Sequence, residues 1–190
     1  MASLPLPVFS VEEYLDYDSE RPNKHEFVDG YIVSMAGASP EHNTITINLS
    51  LAIGGRLNRR VCRPYGSDQR VRIEQGDTWV YPDFTIACER PMFLGTNPKT
   101  LANPSFVVEI LSPSTDSYDR DLKTPRYKSC PSIKEFLLIE QKPVHIEHWR
   151  RGDEGNWSLA TLTTEDAVLQ LSSLGIEVPV RELYEGVELL

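Results

Sequence analysis

The chain has 190 residues, 40% hydrophobic and 25% charged, with a formal net charge of −9 at pH 7. That length supports one domain, 1–190, with its own core, and the acidic balance excludes a general polyanion binder, so nucleic acid would have to meet a local basic patch. No apolar run approaches the ~20 residues of a membrane span. Met1–Pro7 lacks the basic start and apolar stretch of a signal peptide, and Cys62, Cys88 and Cys130, with no CxxC pair, suit reduced thiols in a cytoplasm better than a disulfide framework.

Ser10-Val11-Glu12-Glu13 is a capping box that opens a short helix to about Tyr17, with Val11, Tyr14 and Leu15 on one face. Asp18 to Asn23 is a polar break. Phe27 to Val33 reads as a hairpin turning at Asp29-Gly30, with Glu26 just before it. Ser39 as N-cap and Pro40 at the first position open a second helix, carrying Ile45, Leu49, Ala52, Ile53 and Leu57 at helical spacing. Gly54-Gly55 weaken it locally or mark close packing. Arg56, Arg59, Arg60 and Arg63 at its end suit the helix dipole; contact with a polyanion is the less favoured reading.

Val61 to Ile73 is expected to form a strand pair or a strand and loop, and Gln75-Gly76-Asp77 a turn. Trp79 to Cys88 is an apolar run interrupted by Asp83, and Glu89 to Pro104 a long loop. Phe106-Val107-Val108-Glu109-Ile110-Leu111 has the composition of a strand buried on both faces, interrupted by one carboxylate. Asp119 to Lys128 should be partly helical, with Leu122 and Tyr127 inward; Pro125 either starts the helix or kinks an earlier start. Glu135 to Ile139 is another buried strand, so strands 106–111 and 135–140 flank a helix-sized crossover and should be parallel. Val144 to Trp149 and Trp157 to Thr161 read as strands, and the tail from Ile176 to Leu190 packs apolar residues on the body. The class is α/β, leaning to α+β, with a mixed sheet.

A carboxylate in a buried strand is costly unless it is paired or holds a metal. Asp83 and Glu109 on neighbouring strands, with Lys123 following, point to a divalent-metal site. Mg²⁺ needs few protein carboxylates beside its waters, and a backbone carbonyl such as that of Ile110 could complete the set. Lys123 would then orient the attacking water. The bland alternative, solvated or salt-bridged acids, is favoured for either acid alone but not for the pair with the lysine. His42 reads as a first-turn helix residue more readily than as a phosphate contact, and Tyr127 as a packing residue over Lys123. Strand alternation sets His145 and Glu147 on one face and His148 on the other, against a shared metal.

Pro82-Asp83, then Val108-Glu109, then a lysine, resembles the PD-(D/E)XK nuclease superfamily, and within it the Uma-two family of endonucleases. His25-Glu26-Phe27-Val28-Asp29-Gly30, Ser39-Pro40-Glu41-His42, Tyr81-Pro82-Asp83, Val107 to Ser114, Asp119 with Lys123 and Tyr127, and Ile133-Lys134-Glu135-Phe136 carry the likeness. The superfamily lysine belongs two residues after the acid, where this chain has Leu111; the resemblance implies that it has moved to the next helix, at Lys123. It also implies a restriction-endonuclease-like mixed sheet flanked by helices, with an added N-terminal hairpin and C-terminal strands. Glu26 becomes a further acid near the metal, equally readable as a solvated residue before a hairpin. The implied activity is Mg²⁺-dependent (or Mn²⁺-dependent) hydrolysis of DNA by a cytoplasmic homodimer, with the C-terminal segment or strands 144–161 as contact surfaces. A silent binding module of the same fold and a two-carboxylate glycosidase are the rivals.

Overall fold

The computed structural model describes residues 8–35, 37–74, 77–95 and 99–188. Helix α1 (Val11–Ser19) is opened by the reciprocal Ser10–Glu13 box, with Ser10 N–H to Glu13 Oε2 at 2.7 Å and Glu13 N–H to Ser10 Oγ at 3.2 Å. Strands β1 (His25–Val28) and β2 (Tyr31–Ser34) turn at Asp29 (φ 53°) and Gly30 (φ 84°). Two consecutive positive φ angles are what a two-residue I′ hairpin requires. Helix α2 (Pro40–Arg56) starts on the Ser39 cap and buries Ile45, Leu49, Ala52 and Ile53. A Cβ at Gly54 would meet only ordinary contacts, 3.8 Å to Arg59 and 4.0 Å to Pro64, and one at Gly55 nothing within 4 Å, so neither glycine is demanded by close packing.

Strands β3 (Cys62–Gly66), β4 (Val71–Ile73), β5 (Thr78–Val80) and β6 (Phe84–Cys88) follow. β3 and β4 do not pair with each other; they lie in different sheets. The run 79–88 is likewise not one strand. It breaks at Tyr81-Pro82-Asp83, with β5 in one sheet and β6 in the other, because Pro82 has no N–H for a ladder. Of the turn expected at 75–77, Gln75 and Gly76 lie outside the described residues. The loop at 89–104 holds two short strands, β7 (Phe93–Leu94) and β8 (Thr100–Leu101).

β9 (Phe106–Leu111) is buried throughout. A π-turn (Tyr118–Lys123) leads into α3 (Thr124–Ser129), with Pro125 in its first turn. The wider turn, with Thr124 N–H donating to the Asp119 carbonyl, shifts the helical phase. Leu122, expected inward, is 40% exposed, while Asp119 and Lys123 point in. β10 (Glu135–Glu140) pairs in parallel with β9 from Glu135↔Phe106 to Glu140↔Leu111. β11 (Ile146–Arg151), β12 (Trp157–Leu162), the hairpin β13 (Val168–Leu171) and β14 (Ile176–Pro179), and α4 (Val180–Leu183) end the described chain. Leu189 and Leu190 lie outside it.

The central sheet runs β12-β11-β10-β9-β6-β3 and the second sheet β2-β1-β5-β4-β8-β7. One face of the central sheet, with Phe106, Val108, Ile110, Leu137 and Ile139, packs on α2, β13–β14 and α4. Val178, Val180, Leu183 and Tyr184 are spent in that core, so the C-terminal segment is not the free contact surface expected of it. The other face, with Val107, Leu111, Phe136 and Leu138, packs on the second sheet and α3. The antiparallel register puts Cys62 opposite Cys88, and the two are joined as a disulfide; Cys130 is free and buried. This corrects the expectation of three reduced thiols: sequence spacing of 26 says nothing about cross-strand register.

Candidate active site at the seam of the two sheets

Asp83 sits where the chain leaves the second sheet for the central one. The β6–β9 register ends at Phe84↔Val108; run on by two residues, it would set Ile110 against Pro82. Pro82 has no N–H to give and the Asp83 carboxylate takes over the Ile110 N–H, with Oδ2 at 2.7 Å. N–H and C=O of one strand residue point to the same side, so the Ile110 carbonyl faces this gap too. His42, in the first turn of α2, brings Nε2 to 3.1 Å from the same Asp83 oxygen.

On the other side of β9, Glu109 points into the seam. Lys123 Nζ stands 3.0 Å from Glu109 Oε1, 3.0 Å from Glu26 Oε1 and 3.1 Å from Asp119 Oδ1. Lys123 is 4% and Glu109 3% exposed, and Glu26 and Asp119 are as deeply buried. Asp119 and Lys123, four residues apart, lie on one face of this helical segment. Tyr127, one turn on, donates its hydroxyl to Glu109 Oε1. Glu26 Oε1 also accepts the Tyr81 N–H at 2.8 Å, which ties β1 to the segment carrying Asp83.

One ammonium faces three buried carboxylates, an excess of two negative charges were all ionised. Burial first, then Asp119, Asp83 and Glu26, push the Glu109 carboxyl well above the usual range despite the counter-pull of Lys123. Burial likewise raises Asp119. For Lys123, burial alone favours the neutral amine, but Glu109, Glu26, Tyr127 and Asp119 outweigh it and hold the ammonium well above its ordinary range. Burial and the surplus of carboxylates thus both favour the neutral form of Glu109.

No three of His, Cys, Asp and Glu gather around a point suited to a metal among the described residues. A small hard cation that keeps most of its waters asks for fewer. Asp83 Oδ1 and Glu109 Oε2 accept no hydrogen bond among the described residues, and the strand geometry turns the Ile110 carbonyl to the Asp83 side.

The sequence reading missed four participants. Tyr127 is a hydrogen-bond donor to Glu109 rather than packing alone, and His42 touches Asp83; both depend on which elements dock, which local pattern does not carry. Asp18, read as part of a polar break, is buried and holds three elements together: Oδ1 accepts the His25 N–H at 2.9 Å, Oδ2 accepts Arg70 Nη1 at 2.9 Å and the Tyr81 hydroxyl at 2.7 Å. Gln141 joins the Ser39 hydroxyl (2.7 Å) to the Leu111 carbonyl (2.8 Å), fixing the start of α2 against the end of β9. His145, Glu147 and His148 have separate neighbours, Glu140, Arg120 and Glu135 respectively. The arginines ending α2 lie about 21 Å along the helix from His42, and Arg56 is engaged by Glu182 at 2.8 Å.

Residues 11–181 match the Uma2 family model, described as "Putative restriction endonuclease". Two proteins of Synechocystis sp. (strain ATCC 27184 / PCC 6803 / Kazusa) are similar along most of the chain. Uncharacterized protein slr1290 is 33% identical over 184 residues, 97% of this chain and 95% of that one. Uncharacterized protein sll1609 is 32% identical over 169 residues, 89% of this chain and 96% of that one. A crystal structure from Anabaena variabilis ATCC 29413, described as "a putative nuclease belonging to DUF820", superposes with a TM-score of 0.70 over 95% of this chain and 99% of that one. At 16% identity that likeness speaks for the fold alone. With the match spanning nearly all of the sequence from α1 to α4, this chain belongs to the Uma2 family.

Proposed function

We propose that the protein is a Mg²⁺-dependent DNA endonuclease acting as a homodimer, with Mn²⁺ as a substitute ion. The observation that carries this reading is the meeting of Glu109, Glu26 and the Lys123 ammonium in one buried enclosure, beside a strand break at which Asp83 and the Ile110 carbonyl lie together. Asp83, Glu109 and the Ile110 carbonyl would hold the ion. When bound, it would polarise the scissile phosphate and lower the pKa of a bound water. Lys123, now neutralising Glu109 and Glu26, would turn toward the developing negative charge on the phosphate. Glu26 completes the charge balance around Lys123 and fixes Tyr81, and His42 orients Asp83.

The test is cleavage of supercoiled, linear duplex and single-stranded DNA with Mg²⁺, with Mn²⁺ and with chelator. Metal-dependent cleavage that Asp83→Ala abolishes supports the reading; equal cleavage by the variant, or by wild type in chelator, overturns it. A second reading, a silent binding module, is favoured by the way Lys123 and Tyr127 already occupy Glu109 Oε1. Calorimetry separates the two: heat of Mn²⁺ binding that Asp83→Ala and Glu109→Gln remove belongs to the first.

A further inference from the structure

A strand that ends a sheet leaves half of its ladder groups unpaired, and folded proteins blunt such edges with shortness, charge or proline. The edges here are β3 and β12 in the central sheet and β2 and β7 in the second. β3 carries Arg63 and Pro64, β7 has two residues and β2 four. β12, Trp157-Ser158-Leu159-Ala160-Thr161-Leu162, has six residues and no charge, proline or glycine.

The ladder phase identifies the free groups. Gly152 N–H donates to the Asn156 carbonyl at 2.8 Å. With the register Arg150↔Ser158, His148↔Ala160 and Ile146↔Leu162, this turns the backbone of Ser158, Ala160 and Leu162 toward β11. The N–H and C=O groups of Trp157, Leu159 and Thr161 therefore point away from the sheet. Leu159 is 46% exposed on this edge. Beside it Trp157 is held rigid, its indole N–H on the Lys128 carbonyl at 3.1 Å and the Arg151 guanidinium 4.6 Å over its ring.

We propose that two copies of the chain associate by antiparallel pairing of β12 with its own copy, about a two-fold axis through Leu159. A row of alternating donors and acceptors calls for another strand, and this one suits itself. The two-fold sets Leu159 against Leu159 and Trp157 against Thr161, so all three free residues reach bonding register at once, with no strand charge opposed to its like. The outer edges of the joined sheet are then two β3 strands, blunted by Pro64 and Arg63, so growth stops at two copies. Each copy carries a formal net charge of −9, so added salt should tighten the pair. An edge of this length falls below the ~1,200 Å² of a standard interface, which implies a dissociable dimer with a Kd on the order of micromolar. This gives the two-copy reading above a location, yet it rests on the sheet edge alone and holds whether or not the site turns over.

The test is sedimentation velocity from about 1 to about 200 µM, on wild type, Thr161→Pro and Leu159→Lys. The Thr161 N–H faces outward, so proline there removes an intermolecular donor and no bond of the fold. The expected result is a wild-type mass rising from one chain to two, more readily in higher salt. Both variants should stay single chains to at least about ten-fold higher concentration with urea midpoints near that of wild type. Should Thr161→Pro fail to fold, Leu159→Lys gives the same reading. Wild type that remains a single chain throughout overturns the proposal, and so do folded variants that pair as wild type does. Mass is read rather than cleavage, so loss of this surface and loss of the nuclease reading are separate outcomes.

Discussion

Replacing Lys123 by Met removes the cation that three buried carboxylates share at 3.0, 3.0 and 3.1 Å. Breaking a buried ion pair by deleting one partner costs about 3–5 kcal/mol. The carboxylates escape part of that by taking up a proton. For an acid of ordinary pKa, about 4.3, forced protonation costs about 1.4 kcal/mol per pH unit, hence about 5 kcal/mol at pH 8 and about 1 kcal/mol at pH 5. The expected loss is thus about 4 kcal/mol at pH 8 and about 1 kcal/mol at pH 5. With a urea slope of about 2 kcal/mol/M, the midpoint falls by about 2 M at pH 8 and about 0.5 M at pH 5. Urea unfolding of both proteins in chelator, followed by far-UV circular dichroism, reads this directly. An equal drop at both pH values would mean that the aliphatic stem, not the charge, is what matters, and no drop at pH 8 would dispose of Lys123 as the counter-charge.

Glu109→Gln should stabilise the metal-free fold. A carboxyl whose folded pKa is raised contributes stability that is fully present below its unfolded pKa and is lost as pH rises through the folded value; Gln stays neutral throughout. The variant's urea midpoint should therefore match wild type near pH 4.5 and exceed it increasingly as pH rises toward 8; a gap that does not widen with pH contradicts the raised Glu109. Asp18→Ala should cost about 3–5 kcal/mol, measured by urea unfolding, since it strips Arg70 and Tyr81 of a buried acceptor; a loss under about 1 kcal/mol would mean that other partners suffice. Gly30→Ala meets both a φ of 84° and a Val8 Cγ1 only 2.0 Å from the new Cβ. A loss of more than about 1 kcal/mol is expected, read as a lower melting temperature, and an unchanged one would show that Val8 moves aside freely.

What the sequence disclosed and what it concealed divide along physical range. The capping box at Ser10, the Asp29-Gly30 turn, the Ser39-Pro40 start and the parallel pair β9–β10 rest on neighbours within a few residues or on long apolar runs, and each is found in the fold. The break at Pro82 was legible in kind, since proline cannot serve a central strand, but the apolar residues around it masked it. Leu122, expected inward, faces outward in a segment that carries a π-turn, a change of phase that ideal periodicity does not express. His42, Asp18 and the Cys62–Cys88 bond depend on which elements meet, and a local pattern holds no record of that.

Glu26 and Lys123 are 97 positions apart along the chain (123 minus 26) and touch only where the two sheets close on each other. A ribosome that has released just the first hundred residues has therefore exposed Asp83 and Glu26 but nothing able to act with them. Such long-range closure comes late in folding. Any DNA-cutting chemistry housed there would be withheld from the half-made polypeptide and, by the same token, would be the first capacity surrendered when the layers slip apart.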